Sequence, residues 1–155
     1  MKSKRIKVKD FNKELASFGY NIEFSKKDAI EKVQNKNKKN ITFIKINNLP
    51  SFLYYNNQLI PTIKFLHNNQ NLLKKVTIDM GAVRFIAGGA DVMHPGIVDF
   101  QEGIKENEIV AVQDQNNKTI ISVAKSKFNY QELKEKTKGK SFLNIHYVGD
   151  SLWNL

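Results

Sequence analysis

Arg84, His94, Asp79 and Asp91 are the side chains of residues 76–97 with chemistry to offer, and they sit among four of the chain's eight glycines. Arg84 is the only arginine besides Arg5. Its guanidinium is a planar fork of donors that suits a phosphate or a base edge. Gly81 and the pair Gly88-Gly89 permit tight turns and let another molecule's backbone come close. His94 stands before Pro95-Gly96, on a turn expected to be exposed. With His67 and His146 it completes the histidines, which are too scattered for a convergent metal site. Asp79 and Asp91 are better explained as a helix cap and a turn acid than as an acid–base pair. There is no Gly-Lys-Ser/Thr phosphate loop, no nucleophile elbow and no cysteine. The expectation is a chain that recognises rather than catalyses, with no cofactor, no metal and no small-molecule substrate.

Local signals say how these residues are held. Val76, Thr77 and Ile78 form a strand, and Asp79 caps a short apolar helix. Val83, Ile86 and Ala87 face inward there, which leaves Arg84 outside. Gly88-Gly89 stops the helix. A second apolar segment breaks at Pro95-Gly96, a pair that suits a type II turn. Downstream, residues 109–113 and 119–125 read as strands joined by Asp114-Gln115-Asn116-Asn117. Asn129 with Glu132 caps a short helix reaching about Lys136. Residues 142–148 alternate, with Leu143, Ile145 and Tyr147 on one face and Asn144 and His146 on the other. Trp153 reads as a core or interdomain anchor. Many short strands with turn signals suit a nearly closed barrel.

The first half reads as mixed helix and strand. Residues 4–9 suit a strand. Asp10 caps a helix carrying Phe11, Leu15 and Phe18 and ending at Gly19. Ser25 with Asp28 resembles a capping box ahead of Ala29, Ile30 and Val33. Residues 41–46 and 52–55 suit strands, the second ended by Asn56-Asn57. Pro61 suits the first turn of a helix with Ile63, Phe65 and Leu66. Residues 34–40 read as an exposed polar loop.

Charge separates the halves. The chain of 155 residues carries a formal net charge of +10. Residues 1–75 hold 16 Lys and Arg against 5 Asp and Glu; residues 76–155 hold 9 against 10. The excess positive charge is therefore all in the first half, which points to phosphate backbones as partners. A hydrophobic fraction of 41% supports a packed core. No apolar run approaches a membrane span and no secretory signal is visible, so a cytoplasmic protein without a membrane partner is expected.

The ordered acid, Gly-Ala pair, Gly-Ala-Asp-Val-Met run and Pro-Gly-Ile turn of residues 79–97 resemble the PUA domain, a small RNA-binding pseudo-barrel. Two further segments, Pro61-Thr62-Ile63-Lys64-Phe65-Leu66-His67 and Asn144-Ile145-His146-Tyr147-Val148-Gly149-Asp150-Ser151-Leu152-Trp153, resemble the malignant-T-cell-amplified-sequence family, its archaeal relatives and ligatin. The resemblance implies an α+β protein: an N-terminal α/β pre-PUA domain, residues 1–73, followed by a C-terminal PUA β-pseudo-barrel, residues 74–155. It implies a non-catalytic factor on the small ribosomal subunit or tRNA in translation initiation or recycling, with rRNA or tRNA and a SUI1-domain protein as partners. Two other readings are an adaptor for a SUI1-type factor with weak RNA affinity, and an accessory to RNA modification. The RNA-contacting set would be Gly81, Arg84, Gly88, Gly89, Ala90, Met93, His94, Pro95, Gly96, Ala124 and Lys125. The family's usual Lys or Glu before the Gly-Ala pair is Met80 here. Its late-strand glycine is Ala124, whose Cβ is expected to stand where backbone would approach RNA.

Overall fold

A computed structural model describes residues 1–36 and 40–155, which fall into two compact units, Met1–Leu72 and Leu73–Leu155. The first unit is an antiparallel sheet with two helices. Its strands are β1 (Lys2–Arg5), β2 (Ile30–Asn35), β3 (Ile41–Ile46), β4 (Leu49–Tyr55) and β5 (Gln58–Pro61), in spatial order β1-β2-β3-β4-β5. Helix α1 (Val8–Ser17) follows β1, and α2 (Ile63–His67) follows β5. Phe11 and Leu15 of α1 pack on Ile30, Ile44, Ile46 and Phe52 of the sheet, as an apolar pair four residues apart on a helix should. Two-residue asparagine turns join the last three strands. Asn47 and Asn48, then Asn56 and Asn57, all have positive φ, which type I′ hairpins require and asparagine tolerates.

Several expectations change here. Residues 30–35 are strand, not helix. Asp28 and Ser25 build a turn instead: the Asp28 carboxylate accepts from Ser25 N and from Asn47 Nδ2, each at 2.9 Å. Asn47 Oδ1 accepts from Ala29 N. This knot fixes β2 against β3, and the β-branched Ile30 and Val33 suit a strand. Helix α1 begins at Val8, so Asp10 lies inside its first turn, and Phe18 is exposed at its end. Pro61 ends the edge strand β5, where its missing N–H costs nothing, and Thr62 caps α2 by accepting from Phe65 N. Gln34 and Asn35 belong to β2; the rest of the expected loop includes residues 37–39, outside the described residues.

The second unit has strands β6 (Lys75–Ile78), β7 (Val92–Met93), β8 (Ile97–Phe100), β9 (Ile109–Asp114), β10 (Ile120–Ser126) and β11 (Lys140–Tyr147), with helices α3 (Met80–Ala87) and α4 (Tyr130–Glu135). The spatial order is β7-β11-β10-β9-β6-β8; β6 and β9 are parallel and the other pairs antiparallel. The two edge strands, β7 and β8, are separated in the chain only by His94–Gly96. Three residues span at most about 10 Å, so the sheet must curl until its edges nearly meet. That turn is one turn of 3-10 helix rather than the expected type II turn. Inside lie Val76, Ile78, Ile86, Val92, Val110, Val112, Leu133 and Phe142. The Asn129–Glu132 capping box closes in both directions.

A bulge between Val123 and Ala124 shifts the register with β11, so Ala124 faces Asn144 and Val123 faces His146. The alternating faces of β11 are thereby resolved: Phe142 and His146 are fully buried, while Leu143 is exposed. Beyond β11 the chain clasps itself. Asp150 accepts from His146 Nδ1 and Tyr147 N through one oxygen, and from Leu152 N and Trp153 N through the other. Trp153 is half-buried in this turn rather than a core anchor. Burial, the largest influence, works against ionisation of Asp150. The hydrogen bond and charge of His146 and the Tyr147 and Trp153 N–H groups outweigh it and hold the carboxyl below the usual range. A depressed folded pKa contributes stability above the unfolded value that is lost as pH falls through the folded one. The clasp is therefore expected to open only below the usual carboxylate range. Trp153 emission would report it, and Asp150→Asn should show the acid-form spectrum already at neutral pH.

Candidate nucleic-acid interface

The site grows from the junction of β6 and α3. Asp79 accepts from Ala82 N at 2.8 Å and satisfies a donor at the start of α3. Ile86 is driven into the barrel core, with Ala82 and Val83 packed beside it. The opposite face then carries Gly81, Arg84, Phe85 and Gly88, all exposed. Phe85 is 57% exposed, and the Arg84 guanidinium sits 4.8 Å from its ring centroid. A cation held over an aromatic face is mutually stabilising and still leaves an open ring face.

The glycines divide by cause. Gly89 has φ +102°, and a Cβ there would lie 2.9 Å from the Tyr147 ring. At Gly96 a Cβ would come within 3.0 Å of Ala82 Cβ, which is how the 3-10 turn seats on α3. Gly88 ends the helix, and a Cβ would meet Arg84 O at 3.3 Å. Gly81 differs: an added Cβ would make only an ordinary 3.4 Å contact with Asp79 Oδ1. Packing does not demand glycine there. Its effect is to leave the Phe85 ring unshielded one helical turn away.

One residue absent from the sequence reading organises this surface. Asn144 donates through Nδ2 to Ile86 O and to Ala90 O, each at 2.9 Å, and accepts from Ser122 Oγ at 2.8 Å. Its backbone N donates to Asp91 Oδ1. It thus holds the end of α3 and the Ala90–Asp91 turn to the barrel. Asp91 completes the joint with an ion pair to Lys140 at 3.1 Å. His94 is fixed by its N–H to Gly139 O and by Nδ1 against Ser141 Oγ at 2.9 Å. Burial, then nearby Lys136, lowers its pKa, so at neutral pH it offers a neutral imidazole rather than a cation.

Ala90, Met93 and Pro95 are exposed, and His94, Gly89 and Gly96 partly so, on the surface that continues from α3 through β7. Lys125 lies further round, paired across to the exposed Leu143. Ala124 does not belong with them. It is 0% exposed in the barrel core, because β10 is an interior strand and position 124 has the inward parity. The expected Cβ between strand and RNA is therefore absent from the surface. Ala124→Gly removes a core methyl and loosens the backbone, for a loss of about 1.5 kcal/mol. Melting should report that loss while RNA affinity stays as it was.

Residues 74–148 match the PUA domain family, and residues 1–69 match a domain of unknown function, DUF1947. The fold and this surface are those of a PUA-domain protein with an N-terminal α+β domain. The chain is 39% identical to an uncharacterized protein of Methanocaldococcus jannaschii, over 95% of this chain and 90% of that one. It is 30% identical to the malignant T-cell-amplified sequence 1 homolog of Dictyostelium discoideum, over 84% of this chain and 73% of that one. It is 29% identical to translation machinery-associated protein 20 of Schizosaccharomyces pombe, over 66% of this chain but only 59% of that one. Among solved structures it resembles a hypothetical protein of Pyrococcus horikoshii, with a TM-score of 0.82, 28% identity and coverage of 99% and 98% of the two chains. It also resembles a chain of an H/ACA RNP bound to a substrate RNA, with a TM-score of 0.50 and 29% identity over 61% of this chain and 28% of that one. The chain belongs to the malignant-T-cell-amplified-sequence family of PUA-domain proteins. Among the described residues no helix is long and apolar enough to cross a membrane.

Proposed function

We propose that this protein is a non-catalytic, cytoplasmic RNA-binding factor of translation that acts on small-subunit ribosomal RNA or tRNA. Residues 74–155 would supply the recognition surface and residues 1–73 a basic domain that attracts the phosphate backbone. The observation that carries the reading is Arg84 and Phe85 side by side on a glycine-flanked helix face. A guanidinium serves phosphate and an open ring serves a base. The names of the translation machinery-associated and RNP relatives support the same direction.

A second reading is an adaptor for a SUI1-type protein. Met80, Phe85, Met93, Val98 and Leu143 are all exposed in the near-neutral half, and such apolar exposure also serves protein docking. Titration of labelled small-subunit rRNA and tRNA at several salt concentrations separates the two. RNA binding with a steep salt slope supports the factor. A salt-insensitive lack of RNA binding, with tight binding to a SUI1-domain protein, would establish the adaptor.

A further inference from the structure

We propose that the outer end of the first sheet, at strands β1 and β2, is a second phosphate-binding surface that docks RNA backbone; this rests on the RNA-binding reading above. Antiparallel pairing sets Lys4 directly opposite Lys32, and Lys2 opposite Gln34. Side chains two apart share a face, so Lys2, Lys4, Lys32 and Gln34 all project to one side. On that side the sheet changes character along its length. At one end Ile6, Ile30 and Ile46 lie under Phe11 and Leu15 of α1. At the other end the helix no longer covers it, and Lys2, Ser3, Lys4, Lys32 and Gln34 line an open groove of about 600 Å³.

The pairing itself is an electrostatic conflict. Like charges directly opposite on neighbouring strands destabilise a sheet. Among the described residues, none of the three lysines has a carboxylate partner. Glu31, the acid nearest in sequence, points to the opposite face and binds Ser3 Oγ at 2.8 Å. Lys32 is steadied only by the Tyr54 ring, with Nζ 4.9 Å from its centroid. Tyr54 is anchored in turn by its hydroxyl to Glu14 at 2.7 Å. A stabilised sheet would carry an acid at position 4 or 32. Two cations held at a fixed cross-strand spacing in an acid-free groove fit successive phosphates of a nucleic-acid backbone. Neither shape nor polarity of the groove selects a base, so this surface would add affinity and not sequence preference.

The test is the double variant Lys4→Gln, Lys32→Gln, matched by Lys26→Gln, Lys27→Gln, which removes the same charge from two exposed lysines of a turn outside the groove. Each is titrated, as the full chain, with labelled oligouridine at several salt concentrations and with poly-glutamate. The expected result is that the groove variant binds RNA about 10-fold more weakly, with a salt slope shallower by about 1.4–1.8 for two lost phosphate contacts. It should melt at or above the wild-type temperature because the like-charge pair is gone. The control should bind almost as wild type does. Equal losses in both variants would mean net charge alone is at work and overturn the proposal. So would a groove variant that loses poly-glutamate but not RNA, which would make this a surface for acidic peptides. If wild type binds RNA and the groove variant is unchanged, only this inference falls. If wild type binds no RNA, the RNA-binding reading falls and takes this one with it.

Discussion

Phe85→Ala is expected to weaken RNA binding by roughly 5- to 150-fold, the range of one lost base stack at about 1–3 kcal/mol. The fold should hardly notice. Phe85 is more than half exposed and lies outside the barrel core, so stability should move by within about 0.5 kcal/mol. Arg84→Ala should weaken binding less and also flatten the salt dependence, because its contribution is to phosphate. Phe85→Leu separates the mechanisms. Leucine keeps an apolar surface for a protein partner but has no π-face. Lost RNA affinity in Phe85→Leu supports stacking; retained affinity in that variant with loss in Phe85→Ala would point to generic apolar contact.

Asn144→Ala acts from behind the surface and should be the most damaging single substitution. Its amide serves Ile86 O, Ala90 O and Ser122 Oγ at once. Alanine leaves these partly buried groups without partners, at a cost of about 2–4 kcal/mol. The loss is directed at the end of α3, so RNA affinity should also fall in the molecules that remain folded. Asn144→Asp is the informative companion. It keeps the size and one acceptor for Ser122 Oγ, but it sets a carboxylate against two carbonyl oxygens. It should destabilise at least as much as alanine. Chemical denaturation together with binding under native conditions would measure both effects. A stable Asn144→Ala that still binds would remove the residue from this role.

What could be read from the sequence depended on how local the cause was. The Asp79 cap, the stop at Gly88-Gly89 and the Asn129–Glu132 box are decided within four or five residues, and all are in the structure. Residues 25–33 show the opposite. Ser25 and Asp28 have capping-box spacing, but their partner is Asn47, on a turn that only the sheet brings near. Asn47-Asn48 carried a readable hairpin signal, since adjacent asparagines tolerate positive φ, and it links the two strands on either side. Ala124 was misplaced for lack of the bulge, because one extra residue inverts which side chains of β11 and β10 share a face. Asn144 was invisible for the same reason that it matters. Its partners lie 22 to 58 residues away. Phe85 had a signal: in a helix whose Ile86 and Val83 face inward, the neighbouring Phe85 must turn outward.

The central claim is that RNA meets α3 and the β7 turn. Amide chemical shifts of the labelled full-length protein, followed through a titration with small-subunit ribosomal RNA, test it most directly. The expected result is that the largest changes cluster at Gly81, Arg84, Phe85, Gly88, Ala90 and Met93, with Ala124 perturbed far less. Saturable RNA binding whose shift changes leave α3 and the β7 turn untouched would contradict it.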